Sequence, residues 1–181
     1  YRLLENAVHA LDTLRWLAGG EVTGLQVLGT ADTDPEHEQT VAALLRFANG
    51  VTGLFAMNAH GAKWIERYEV YADAATLLIE YPVRLRRFTR EPRPLGGELA
   101  ELLVPPPAER EVGLIDGEPI LQLEGALHPV DEAAALGFRA ELEHFLHCVR
   151  QGTRPLTAGA EALATQRLVY AIYRQAGLAV P

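Results

Sequence analysis

The sequence has a single cysteine, Cys148, so no internal disulfide can form, and no Cys/His cluster has the spacing of a zinc site. A reducing, cytoplasmic setting and a fold held by packing alone are expected. No stretch approaches the roughly 20 apolar residues of a membrane-spanning helix, and no basic start followed by an apolar run suggests a secretory signal. Membrane insertion is therefore not expected. Lysine occurs once, at Lys63, and the 16 Lys+Arg residues are scattered against 24 Asp+Glu, giving a formal charge of -8 that opposes a nucleic-acid backbone. No serine stands near any histidine, so a Ser-His-Asp hydrolase has no nucleophile. A GxGxxG turn after a strand, the nest for a dinucleotide pyrophosphate, is also missing. What remains is 181 residues, 49% apolar and 22% charged, enough for one sizeable core. The chain opens at Tyr1 within a helical pattern and without an initiator methionine, so it is expected to be a piece of something longer.

From Arg2 to Ala18, Leu3, Leu4, Ala7, Leu11, Leu14 and Ala18 fall on one side of a helix, which Gly19 and Gly20 end. Strands are predicted over 21–31, 39–48, 51–60, 65–73 and 76–81. Asn49-Gly50 predicts a type I′ turn between the second and third. On 40–47, Val41, Ala43, Leu45 and Phe47 share one face, yet Ala42 and Leu44 make the other face only partly polar; Leu54 and Ala56 repeat this on the next strand. Helices can cover one face, and the other calls for a second domain or a second copy, so a homo-oligomer through the open sheet is expected. Residues 91–133, broken by Pro92, Pro94 and Pro105-Pro106-Pro107, read as a long excursion with edge strands. Helical spacing returns over 134–150 through Leu136, Phe138, Leu142, Phe145 and Val149, and Gly152 to Pro155 forms a break. A last helix is predicted to be capped by Thr157, turned inward at Leu163, Leu168, Ala171 and Ile172, and ended by Gly177. The order is that of an α+β fold, a largely antiparallel open sheet with helices on one face.

On the first helix Glu5, His9, Asp12 and Trp16 fall within an arc of about 60°, opposite the leucines. Carboxylates one turn to either side of an imidazole favour its protonated form and fix one tautomer, which a proton-transferring histidine needs. The indole on the same stripe implies that this side meets something. Two other readings of the stripe stand beside this one: a solvated face of weak i,i+3 and i,i+4 pairs, or divalent-metal ligation by Glu5, His9 and Asp12, for which outside ligands would be needed and the HExxH spacing is absent.

The run Glu5 to Gly19, with its acid, histidine, aspartate and Arg15-Trp16-Leu17 end, resembles the start of the second domain of the glucose-fructose oxidoreductase / inositol dehydrogenase (Gfo/Idh/MocA) family. Val41 to Gly53, with Phe47-Ala48-Asn49-Gly50 at the hairpin, and Tyr68 to Glu80 are similar to its strand pairs. Phe138 to Phe145, Cys148-Val149, Gly152 and Pro155 resemble its closing helix and turn. The resemblance implies that 1–181 is a single C-terminal substrate-binding and oligomerisation domain of a two-domain NAD(P)-dependent oxidoreductase acting on a CH-OH group of a sugar or polyol. NAD or NADP would be held mainly by an N-terminal domain outside this chain, and the fragment alone would be inactive. By the same resemblance His9 takes the substrate hydroxyl proton, Glu5 orients the imidazole or bonds a neighbouring hydroxyl, and Asp12 braces the site or meets substrate. The family lysine has no counterpart in Lys63. Two departures stand out: glutamate at position 5, where many members have aspartate, and Ala72-Asp73-Ala74-Ala75 where the family has glycines.

His60, Lys63, Trp64 and Arg67 cluster after the third strand; Trp64 and Arg67 are the candidates for reaching substrate, against a solvated turn with one packed tryptophan. His144, His147 and Cys148 share a helix, where packing of the thiol is the plain reading and a metal site the other. A non-catalytic binding or dimerisation module of the same fold is the alternative to an enzyme.

Overall fold

The structure is a computed structural model and describes residues 2–31, 38–58, 65–81, 84–92, 103–104, 109–116, 118–127 and 138–180. It divides into two compact units, one of Tyr1–Ala62 with Thr153–Pro181, the other of Lys63–Gly152.

The first unit begins with a π-helical turn, Leu3–Ala7, that runs into α1, Val8–Ala18, followed by β1, Val22–Ala31, β2, Glu38–Phe47, and β3, Thr52–Asn58. The three strands form one antiparallel sheet in the order β1-β2-β3. Its inner face is the predicted one: Val41, Ala43, Leu45 and Phe47 are at most 1% exposed. Against it pack Leu3, Ala7 and Leu11, together with Leu168, Val169, Ile172 and Tyr173 of the last helix, here α3, Gly159–Ala176. Helices thus cover one face of an antiparallel sheet. On the other face Leu28, Leu44 and Leu54 are exposed.

Glycines end both helices by left-handed caps, Gly19 and Gly177 each at φ 67°. After Gly177 the Leu178 amide donates to the Tyr173 carbonyl (3.0 Å), the six-to-one bond of a Schellman motif, and Leu178 is buried. Gly29 is needed for space rather than conformation, since a Cβ there would come 2.8 Å from the Ala176 Cβ. Gly29→Val is expected to destabilise the chain by about 1–3 kcal/mol, read as a lower midpoint in urea, because β1 and α3 must move apart.

Several sequence expectations change. The Asn49-Gly50 turn is not type I′: Gly50 has φ 88°, while Asn49 is absent from the positive-φ residues. Gly50 N donates to Phe47 O (3.0 Å) and Phe47 N to Val51 O (2.8 Å), a three-residue loop closed by a glycine bulge. Asn49 has other work: its amide donates to the Ala18 carbonyl (2.7 Å) and its Oδ1 accepts from Val51 N (3.3 Å), tying the hairpin to the end of α1. Thr157 does not cap α3; the N-cap is Ala158, without a side-chain bond, and Arg15 meets the first turn instead. Leu163 is 50% exposed, and Thr165, Val169 and Tyr173 take inward places.

The second unit holds β4, Glu66–Ala72, β5, Ala75–Tyr81, β6, Arg84–Thr89, β7, Leu103–Val104, β8, Glu109–Ile115, β9, Glu118–Leu127, and α2, Phe138–Gln151. Its sheet runs β4-β5-β6-β9-β7, with β8 also on β9, every pairing antiparallel. Within 91–133 the expected edge strands are β7 and β8, each paired only with β9, whereas β9 lies inside the sheet, paired also with β6. Asp73-Ala74 closes β4 on β5 by a two-residue loop without positive φ, so the family's glycines are dispensable at that turn. α2 lies within the predicted helical stretch; its Phe138, Leu142, Phe145 and Val149 are exposed, and Cys148 is buried. Leu136 lies outside the described residues.

Candidate functional site

Because Leu3, Ala7 and Leu11 are held in the core, the opposite side of the first helix faces outward, and Glu5 and His9 are both exposed there. Glu5 lies in the π-helical turn and His9 at the start of α1. A π turn widens the backbone and shifts side chains from the 100° spacing of an α-helix, so the stripe is not the straight ladder the spacing predicts. Trp16 ends it, 70% exposed.

Asp12 is engaged from the far end of the chain. Its Oδ1 accepts from the Thr165 hydroxyl at 2.5 Å and lies 3.7 Å from Nη1 of Arg15. Arg15 is only 7% exposed, and every group around it is an acceptor: Nη1 donates to Thr165 Oγ1 (2.8 Å) and to the Glu161 carbonyl (3.2 Å), and Nη2 donates to Glu21 Oε1 (3.1 Å). The Glu161 carboxylate is 3.7 Å away and also pairs with Arg154 at 3.3 Å. A buried guanidinium is tolerated only where its donors are met in this way, and the fork geometry of arginine lets one side chain join α1, the residue that precedes β1, and α3. Sequence reasoning missed Arg15 and Thr165. On a helical wheel Arg15 falls at the margin of the leucine arc, and Thr165 stands three residues before Leu168 and seven before Ile172, a polar residue on an apolar stripe. Those were the available signals.

A cleft of about 350 Å³ opens beside this network, lined among others by Arg15, Glu21, Leu25, Arg167 and Ala171; neither Glu5 nor His9 lines it. Arg67 belongs to the second unit, where its Nε meets Glu69 at 2.9 Å. His60, Lys63 and Trp64 lie outside the described residues, as do His37 and His128. His144 and Cys148 are neighbours, Nε2 to Sγ 3.6 Å. Among the described residues no three His, Cys, Asp or Glu side chains converge as a metal-ligand set, and no helix is long and apolar enough to cross a membrane. Nor does any glycine-rich turn lead from a strand into a helix N-terminus, so the described residues do not fit a dinucleotide pyrophosphate.

The sequence pattern of the GFO/IDH/MocA C-terminal domain matches residues 2–78, from the π-helical turn into β5. Through these residues the chain is similar to the GFO/IDH/MocA family. YceM of Salmonella typhimurium (strain LT2), a protein named as an oxidoreductase, is 28% identical over 176 residues, covering 97% of this chain and 48% of YceM. Aldose-aldose oxidoreductase from Caulobacter crescentus, solved with glycerol, is 21% identical with a TM-score of 0.64 over 97% of this chain and 45% of that one. An oxidoreductase from Agrobacterium radiobacter, solved with NAD+, L-tartaric acid and magnesium, is 17% identical with a TM-score of 0.65 over 97% of this chain and 46% of that one. The two solved structures share the fold. The chain spans about half the length of these relatives.

Proposed function

We propose that this chain is the substrate side of an NAD(P)-dependent oxidoreductase acting on a CH-OH group of a sugar, polyol or related small molecule. The observation that carries the reading is the placement of Glu5 and His9, exposed on the solvent side of a helix whose other side is fixed in the core. His9 accepts the hydroxyl proton of the substrate, and Glu5 orients the imidazole or bonds an adjacent hydroxyl. Asp12 braces the helix, and Trp64 and Arg67 remain candidates for binding substrate. The cofactor takes up hydride when bound, and its site belongs to the part of the whole protein outside this chain. The glycerol and L-tartaric acid of the two solved relatives support a small polyhydroxylated ligand, and the NAD+ of one supports the cofactor class. A cytoplasmic location belongs to the same proposal.

The complete protein, given NAD+ or NADP+ with a panel of aldoses, polyols and hydroxy acids, is expected to reduce the nicotinamide, followed by absorbance, whereas residues 1–181 alone give no turnover. Turnover by the isolated chain, or none by the complete protein with any member of the panel, counts against the reading. The outer sheet face, with Leu28 80% and Leu54 69% exposed, favours a second role as a homo-oligomer surface. A protein that keeps this surface and has lost the chemistry is the alternative, separated by the same assay.

A further inference from the structure

We propose that Thr165 is a positioning residue for His9, acting by holding the Asp12 carboxylate away from the imidazole; this rests on the reading of His9 as the proton acceptor. The hydroxyl of Thr165 is 2% exposed and both its roles are assigned. It accepts from the Arg15 guanidinium at 2.8 Å and donates to Asp12 Oδ1 at 2.5 Å. Arg15 has no lone pair to accept with, so the hydroxyl proton can go only toward Asp12, and the direction of the chain of bonds is fixed. Glu21 and the Glu161 carbonyl hold the rest of the guanidinium, which keeps Arg15 from turning away.

Asp12 follows His9 by three residues on α1, a spacing at which two helical side chains are neighbours. Released from Thr165, the carboxylate keeps only its looser 3.7 Å approach to Arg15 Nη1 and can turn to accept from the His9 ring, where it competes with Glu5 and changes which ring nitrogen carries the proton. Held by Thr165, it leaves the imidazole to Glu5 and the substrate. Thr165 contacts neither His9 nor, under this reading, the substrate, and its effect passes through Asp12.

The test uses ring 15N chemical shifts of His9, which report the tautomer, in residues 1–181, and steady-state kinetics of the complete protein. Thr165→Val is expected to shift the His9 ring signals and to lower kcat about tenfold with KM unchanged. Thr165→Ser, which restores the hydroxyl, is expected to return both, and adding Asp12→Ala to Thr165→Val is expected to return the ring signals. If the valine variant does not fold, Thr165→Ala, which removes the same hydroxyl donor, carries the same expectation. Unshifted ring signals in a folded Thr165→Val or Thr165→Ala variant overturn the proposal, as does a shift that persists when Asp12 is also removed. Failure of the underlying reading looks different: the ring signals respond as described while His9→Ala keeps full turnover.

Discussion

His9→Ala in the complete protein is expected to lower turnover by about 10²-fold or more, the usual contribution of a positioned proton-transfer group. His9 is exposed, so its removal opens no cavity, and exposed substitutions of this kind shift stability by no more than about 0.5 kcal/mol. A loss of turnover therefore reports chemistry rather than folding. If the imidazole acts as the proton leaves the substrate hydroxyl, kcat and kcat/KM fall together; a rise in KM with kcat preserved means that His9 only binds. Oligomeric state is expected to stay as in the unsubstituted protein, because His9 lies on the helix and the open face belongs to the strands. Unchanged turnover favours the non-catalytic module. Tightly bound metal in elemental analysis, with activity lost to a chelator, favours ligation by Glu5, His9 and Asp12, against which stands the engagement of Asp12 by Thr165.

What the sequence showed and what it hid divide along one physical line. Periodicity reports which residues share a face, and it found the inner residues of β2 and the buried side of the first helix because each is decided by a local repeat. Partners across 150 residues leave no such trace. The Arg15–Thr165 bond joins the two ends of the chain, and nothing near Arg15 announces that its charge is buried. Turn chemistry failed in a related way. Asn49-Gly50 carries the composition of a two-residue turn, but the side chain of Asn49 bonds the end of α1, and that tertiary contact goes with a three-residue loop. The left-handed residue of a hairpin is found at Asp116, φ 54°, between β8 and β9, within a stretch whose prolines made it read as an excursion. For the candidate site, the stripe of Glu5 and His9 was legible from spacing, whereas the π turn under Glu5 was not, since nothing in Leu3–Ala7 distinguishes i+5 from i+4 bonding.

Phe47→Ala is expected to cost about 3–5 kcal/mol, a large share of the roughly 5–15 kcal/mol by which a domain of this size is stable. Phe47 is 1% exposed, and its ring lies against Gly53, where even an added Cβ would come 3.2 Å from Cε2. Leu14 of α1 approaches the same point at 3.5 Å, so the ring fills the space between the hairpin and the helix that carries His9. Its backbone cannot move to close the gap, because Phe47 N and O are both held by the hairpin loop and Ala48 N is held by Glu21 O. With a urea slope of about 2 kcal/mol per molar, the midpoint falls by about 2 M. Leu54→Ala is the control, on the next strand but on the outer face and 69% exposed; the structure gives it a change within about 0.5 kcal/mol. Should Leu54→Ala cost as much as Phe47→Ala, and the cost vary with protein concentration, then the outer face is covered in solution by a second copy of the chain, because only association makes stability depend on concentration.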